Sequence, residues 1–274
     1  MTITFIGGGN MATALIGGLI ARGAPAREFR VVDPAHAQRD RLAALFSGIE
    51  LYAAIDRAAI EGASVVALAV KPQQMRAAAH ELAPHVASVP VVLSVAAGIR
   101  TADLARWLHG YRRIVRAMPN TPALVRAGIS GLFATPEVSM DRRAHAAAVL
   151  EAGGEVVWCD EEGLLDAITG VSGSGPAYVF YFLEAMDQAA SELGIDPPAA
   201  RTLAYATFAG AIALAQQSEQ APAVLRANVT SKGGTTARAL ETLEAAKVKA
   251  HFVAAIKAAA ARAHELGDEF GAER

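Results

Sequence analysis

The sequence predicts an α/β fold, with an N-terminal Rossmann-like doubly wound sheet over residues 1–160 and an all-α C-terminal domain over 161–274. Three observations carry this. Short β-branched apolar runs alternate with helical patterns through the first part. A glycine-rich turn joins the first strand to the first helix. Strand signals stop after Cys159.

In chain order, TITFI (2–6), FRVV (29–32), SVVALAV (64–70), PVVLSV (90–95) and RIVRAM (113–118) are nearly continuous apolar runs, as strands buried on both faces should be. Between them lie helical patterns such as MATALIGGLIARG, closed by Gly23 as C-cap, and AQRDRLAALF. This alternation implies right-handed crossovers and a parallel sheet. EVVW (155–158) reads as the last strand. Beyond it, GPAYVFYFLEAMDQAASELG and RTLAYATFAGAIALAQQ are helical, separated by Gly194 and Pro197-Pro198. Both are apolar around most of the cylinder, so they need burial on several sides. They either pack against a second subunit, which we expect, or form the centre of a monomeric bundle.

Composition narrows the function. With 274 residues, 53% hydrophobic and 19% charged, the chain can fill a core. A net charge of −2 gives no electrostatic case for nucleic acid or an anionic membrane surface. The longest uncharged helical run, Thr202–Ala215, falls short of the ~20 apolar residues of a membrane span. No basic-then-apolar leader precedes the first strand, and the single Cys159 leaves no intramolecular disulfide framework. We expect a soluble cytoplasmic protein. No H-E-x-x-H occurs among the scattered histidines, so no metal site is expected. GVSGSGPAY (170–178) does not meet G-x-S-x-G, and Gly173 and Gly175 read instead as allowing close passage to another backbone, with Pro176 starting a helix.

The segment Ile6-Gly7-Gly8-Gly9-Asn10-Met11-Ala12 satisfies G-x-G-x-x-(G/A) through Gly7, Gly9 and Ala12. The first glycine permits a tight turn and the second lets the backbone approach a pyrophosphate. The small third residue allows close packing, and the helix N-terminus favours negative charge. The second strand ends at Asp33, about twenty residues beyond Ala12, where an acid accepts from the adenosine ribose. Asp33 favours NAD; Arg39 and Arg41 lie just beyond and are expected too deep in the next helix to serve a 2′-phosphate, and the cofactor's phosphate state stays open. Other strands end at Lys71-Pro72, at Ala96-Ala97-Gly98 and at Asn120 between two prolines. Ligands of such sheets lie outside the carboxyl ends of the strands. Lys71 reads as a cofactor contact or as a solvated residue before a helix, and Asn120 equally as a contact or a rigid-turn residue.

The stretch NVTSKGGTTARAL (228–240) interrupts apolar helix with small polar residues. Gly233-Gly234 exposes backbone N–H groups, Thr235 and Thr236 add hydroxyls, and a helix begins there, which together make an anion cradle. A helix cap would need only one Ser or Thr. The residues imply a dinucleotide-dependent reductase acting on a small acid.

In FIGGGNMA, AVKP, AAG, RAMPNTPALV, DAITGVSGSGPAYVF and VTSKGGTTARAL, in that order, the chain resembles pyrroline-5-carboxylate reductases. The resemblance implies reduction of 1-pyrroline-5-carboxylate to L-proline with NADPH or NADH, the last step of proline biosynthesis. It further implies a homodimer with interlocked C-terminal helices, often assembled into decamers, with the active site between subunits. It places the cofactor on Gly7, Gly9, Asn10, Met11, Ala12, Asp33, Pro34, Lys71, Pro72, Ala96, Ala97, Gly98 and Asn228. Substrate falls to Ser231, Gly233, Gly234, Thr235 and Thr236, with Glu162 near the ring nitrogen and Thr236 at the catalytic position. This chain departs from the family in carrying Lys232 where Pro is usual, and some relatives that prefer NADPH have Ser at the place of Asp33.

Overall fold

A computed structural model describes residues 1–272. The chain forms two compact units, Met1–Ser174 together with the helix from Lys257 onward, and Gly175–Ile256.

The first unit is built on one eight-stranded sheet in the order β3-β2-β1-β4-β5-β6-β7-β8. Its strands are β1 (Ile3–Ile6), β2 (Phe29–Val32), β3 (Glu50–Tyr52), β4 (Val65–Leu68), β5 (Val92–Ser94), β6 (Ile114–Met118), β7 (Gly128–Ala134) and β8 (Gly154–Trp158). The helices are α1 (Asn10–Ala21), α2 (His36–Leu45), α3 (Arg57–Ile60), α4 (Pro72–Leu82), α5 (Thr101–Trp107), α6 (Met140–Glu151) and α7 (Leu164–Ile168). Alternation along β1 shows why the apolar runs are continuous. Ile3 and Phe5 join a core with Leu15, Ile16, Leu42 and Leu150 of α1, α2 and α6. Ile6 joins a second core with Ile60, Met75, Leu82, Leu104 and Trp107 of α3, α4 and α5. Thr4, fully buried on that second face, satisfies its hydroxyl on the Ala59 carbonyl at 2.7 Å. Both faces of the strand are therefore covered, as a doubly wound sheet requires.

Two features depart from the expected sheet. β3 and β7 join it in addition to the anticipated strands, and β7 runs antiparallel to β6, pairing Val115 with Ala134 and Met118 with Gly131. β8 then pairs parallel with β7. β7 reads GISGLFA, and its small residues at Gly128, Ser130 and Gly131 hide the β signal.

The second unit contains α8 (Gly175–Glu192), α9 (Pro197–Gln216), α10 (Pro222–Asn228), α11 (Thr235–Ala245) and the start of α12 (Val248–Gly271). Phe252 of α12 meets Tyr178 and Phe182 of α8 edge-on, with ring centroids at 5.5 and 5.6 Å. No side chain of α8 is buried, and on α9 only Ala200 and Ala204 are. Large apolar groups stay open, including Tyr181 (69% exposed), Ile212 (58%) and Leu214 (57%). No helix among the described residues is long and apolar enough to cross a membrane.

Candidate active site

β3 through β6 are parallel, so their carboxyl ends share one edge, and the sheet grows outward from β1 in both directions, to β2 and to β4. This is the switch point at which such sheets open a ligand crevice. The turn between β1 and α1 lies there. Gly7 has φ +95°, and a Cβ on it would stand 2.9 Å from the Ala69 carbonyl oxygen and from Val70 Cγ1. Its N–H donates to the Val32 carbonyl at 2.8 Å. Gly9 differs. Its φ is −66°, and a Cβ would meet nothing within 4 Å. The chain's own packing gives no reason for a glycine there. The open space faces the start of α1, which no side chain caps. An uncapped helix end with room for close backbone approach suits a pyrophosphate. Asn10 is exposed at this rim, Met11 packs partly on the core, and Ala12 is fully buried beneath. These residues fit a dinucleotide.

At the end of β2, Asp33 accepts from two backbone groups, Gly8 N–H on Oδ2 and Ala35 N–H on Oδ1, both at 2.9 Å. Pro34 beside it is exposed. Gln38 of α2 donates to the Gly8 carbonyl, tying the two turns together. Arg39 corrects the expectation that it lies too deep in the helix. Its Nη1 reaches back to the Asp33 and Pro34 carbonyls at 2.6 and 2.9 Å, which puts the guanidinium at the turn itself.

Lys71 sits exposed in the cap position of α4, with Pro72 opening the helix. Ala96 is buried and Gly98 has φ +72°, with Phe270 and Leu266 of α12 packed where a side chain would project. Asn120 is committed to the backbone, donating to the Ser172 carbonyl at 3.2 Å and accepting from Ile129 N–H at 3.0 Å. That supports its reading as a rigid-turn residue. Gly173 passes a side chain, Met118, where the sequence suggested a backbone, and a Cβ on Gly175 would meet nothing within 4 Å.

Glu162, expected beside the substrate's ring nitrogen, has both oxygens engaged. Oε1 accepts from Thr101 N–H at 2.8 Å and from Arg116 Nη1 at 3.0 Å; Oε2 accepts from the Thr101 hydroxyl at 2.6 Å. Arg116, 3% exposed, also reaches Asp166 Oδ1 at 3.2 Å, and Asp166 Oδ2 lies 3.3 Å from His264 Nδ1. The cluster holds the start of α5, directly after Ala96–Gly98. Sequence reading missed it, although an arginine inside the apolar strand RIVRAM signals a buried charge that requires partners.

In the second unit, Gly234 N–H donates to the Ser231 carbonyl at 3.1 Å and Gly233 has φ +71°. A Cβ on Gly234 would collide with Ser231 Oγ. α11 begins at Thr235 with Gly234 in the cap position and no side chain capping it. Thr235 is exposed and Thr236 half-buried. The loop has the backbone of an anion cradle. Asn228 closes α10 and donates to Gln220 Oε1 at 3.0 Å. The structure thus gathers Gly7–Ala12, Asp33-Pro34, Lys71-Pro72 and Ala96–Gly98 on one edge of the first unit, while Asn228 and Ser231–Thr236 belong to the second. Among the described residues, no group of three or more His, Cys, Asp or Glu could hold a metal ion.

Residues 162–266 match the family model described as pyrroline-5-carboxylate reductase dimerisation, which supports homo-oligomerisation. Residues 2–98 match a model described as NADP oxidoreductase, coenzyme F420-dependent. The pyrroline-5-carboxylate reductase of Pseudomonas aeruginosa is 44% identical over 269 residues, 98% of each chain. A solved pyrroline-5-carboxylate reductase from Coxiella burnetii is 40% identical, superposes with a TM-score of 0.90, and covers 97% of this chain and 98% of its own. A Plasmodium falciparum pyrroline carboxylate reductase solved with NADP bound has a TM-score of 0.87 at 24% identity, covering 97% and 98%, a likeness of fold alone. With ordered motifs in both units and relatives this similar end to end, the chain belongs to the pyrroline-5-carboxylate reductase family.

Proposed function

We propose that the chain reduces 1-pyrroline-5-carboxylate to L-proline at the expense of NADPH, or alternatively NADH, as the last step of proline biosynthesis. Identity of 44% along 98% of a reductase of that name carries the reading. The NADPH preference draws on the model for NADP oxidoreductases that residues 2–98 match.

The dinucleotide, when bound, supplies a hydride to the imine carbon; a proton at the imine nitrogen completes the saturated ring. The rest falls to the protein as alignment and exclusion of water. Gly7, Gly9, Asn10, Met11 and Ala12 form the pyrophosphate turn, Gly7 and Ala12 by shaping it and Gly9 by admitting the ligand. Asp33, Pro34, Lys71, Pro72, Ala96, Ala97, Gly98 and Asn228 contact the remainder of the cofactor. Ser231, Gly233, Gly234, Thr235 and Thr236 hold the substrate carboxylate on backbone N–H groups and hydroxyls. A threonine hydroxyl barely ionises, so Thr236 orients the ring nitrogen by hydrogen bonding while solvent or the substrate itself brings the proton. Glu162 is retained as a substrate-side residue on the family resemblance, although Thr101 and Arg116 occupy its oxygens. A Glu162→Gln variant with an unaltered KM for the imine removes it from that role.

Functionally the chain divides at 160/161, into a dinucleotide domain and a helical domain through which a homodimer interlocks its C-terminal helices. A decamer is the higher assembly that a mass measurement would detect. We place the protein in the cytoplasm, which cell fractionation tests. The decisive experiment follows NADPH absorbance with purified protein and a panel of cyclic imines and keto acids, identifying L-proline by chromatography. Better turnover on another imine or a keto acid makes the protein a different reductase of the same architecture. Nucleotide binding without turnover on any of them makes it a sensor.

A further inference from the structure

We infer that Arg39 recognises the 2′-phosphate of the dinucleotide, and that Asp33 does not exclude that phosphate because its carboxylate is engaged in holding the turn. The inference rests on the dinucleotide reading above and deepens it. In sheets of this kind the adenosine ribose lies at the carboxyl end of β2. An acid whose charge faces the ribose accepts from its 2′-hydroxyl and repels a phosphate there. In this chain Asp33 gives one oxygen to Gly8 N–H and the other to Ala35 N–H, each at 2.9 Å. Charge-assisted bonds from two backbone donors draw down its negative field on the side they occupy.

Arg39 brings the opposite charge to the same turn. One nitrogen, Nη1, anchors on the Asp33 and Pro34 carbonyls, at 2.6 and 2.9 Å. These acceptors are neutral, so they fix the guanidinium without cancelling its charge. No carboxylate forms an ion pair with Arg39 among the described residues, whereas Arg30 pairs with Glu50 at 3.1 Å and Arg57 with Glu61 at 2.9 Å. Arg41, two positions along α2, points away from the side of the helix that Arg39 uses. A guanidinium held by one nitrogen keeps donors for a phosphate, whose oxygens it matches in bidentate geometry better than an ammonium does.

A turn-fixing role alone would account for the two carbonyl contacts but needs no charge. The test separates the two roles. Binding of 2′,5′-ADP and of 5′-AMP to the cofactor-free protein is measured by titration calorimetry, for wild type and for Arg39→Gln, Arg39→Lys and Arg39→Ala, with thermal melts to establish folding. The probes share the adenosine and differ in the 2′-phosphate. Arg39→Gln keeps a donor for the carbonyls and lacks the charge. We expect the wild type to favour 2′,5′-ADP. Arg39→Gln and Arg39→Ala should cut that preference about tenfold or more, Arg39→Lys should restore part of it, and salt should erode it. A preference undiminished in Arg39→Gln, or equal loss for both probes, overturns the role of Arg39 while leaving the nucleotide site intact. Failure of wild type to bind either probe or NADH overturns the site reading and this inference with it.

Discussion

Two glycines separated by one residue should respond to the same substitution in opposite ways, because one serves the fold and the other the ligand. In Gly7→Ala the new methyl stands 2.9 Å from a backbone carbonyl oxygen, at φ +95°. A strained φ costs about 1–3 kcal/mol and overpacking a buried turn adds about 1–3 kcal/mol. The sum, about 2–6 kcal/mol, is a large share of the total stability of about 5–15 kcal/mol usual for a domain. In Gly9→Ala, φ is −66° and no atom lies within 4 Å of the methyl. Removing glycine there restricts the unfolded chain and should leave stability unchanged or raise it by about 0.4–1 kcal/mol. The methyl instead enters the space reserved for a pyrophosphate. A clash of about 1–3 kcal/mol weakens dinucleotide binding by about 5- to 150-fold. Urea denaturation of the cofactor-free variants gives the first quantity and NADPH titration the second. A Gly9→Ala protein that binds NADPH as tightly as wild type, or loses stability as Gly7→Ala does, refutes the assignment of the open space at α1.

Thr236→Ala should lower kcat roughly tenfold to a hundredfold through misalignment while sparing NADPH affinity, as steady-state rates and cofactor titration would show. Arg116→Met leaves Glu162 and Asp166 without their shared cation and should cost about 3 kcal/mol in urea unfolding, near the low end for a broken buried pair since both acids keep some solvent contact. Phe180→Glu on α8, where the ring is 59% exposed, should shift the protein toward monomer in sedimentation equilibrium, because the open apolar rows of α8 and α9 need a partner surface. The Cys159 thiol, pushed up chiefly by burial and then by the Asp160 carboxylate, should alkylate with iodoacetamide at pH 8 more slowly than free cysteine, since less thiolate is present.

The elements legible in the sequence were those whose signal is local. The strands of the parallel half show it, because burial on both faces leaves an uninterrupted apolar run in each. β3 did not, since Glu50–Tyr52 is too short to display a period. β7 did not, since glycine and serine occupy positions where a strand usually carries β-branched residues. The site divides the same way. The turn at Gly7–Ala12 and the loop at Ser231–Thr236 are contiguous motifs with a mechanical reason for each residue. The Thr101–Glu162–Arg116 cluster joins residues 61 and 46 positions apart, and no window along the chain reports such pairs. Arg39 was misjudged for a different reason. Helical position places its Cα at the end of the first turn of α2, but a long side chain directed toward the helix N-terminus reaches the loop before it.

That the loop accommodates Lys232, where the family resemblance leads one to expect proline, follows from its geometry. Gly233 at φ +71° in the third position, with the Gly234 N–H to Ser231 carbonyl bond of 3.1 Å, is the pattern of a type II turn. The second position of that turn takes φ near −60°, the value proline has built in and lysine adopts freely. Lys232→Pro should therefore stabilise the protein by about 0.4–1 kcal/mol, acting through the unfolded chain. The same substitution removes an exposed cation beside the proposed carboxylate cradle. A charge so placed contributes about 0.2–1 kcal/mol, so KM for the imine should rise about 1.4- to 5-fold at low salt. Lys232→Ala separates the terms: the same change in KM, without the gain in stability. Stability that falls in Lys232→Pro would rule out the type II turn, and a KM indifferent to both variants at low salt would remove the carboxylate from this loop.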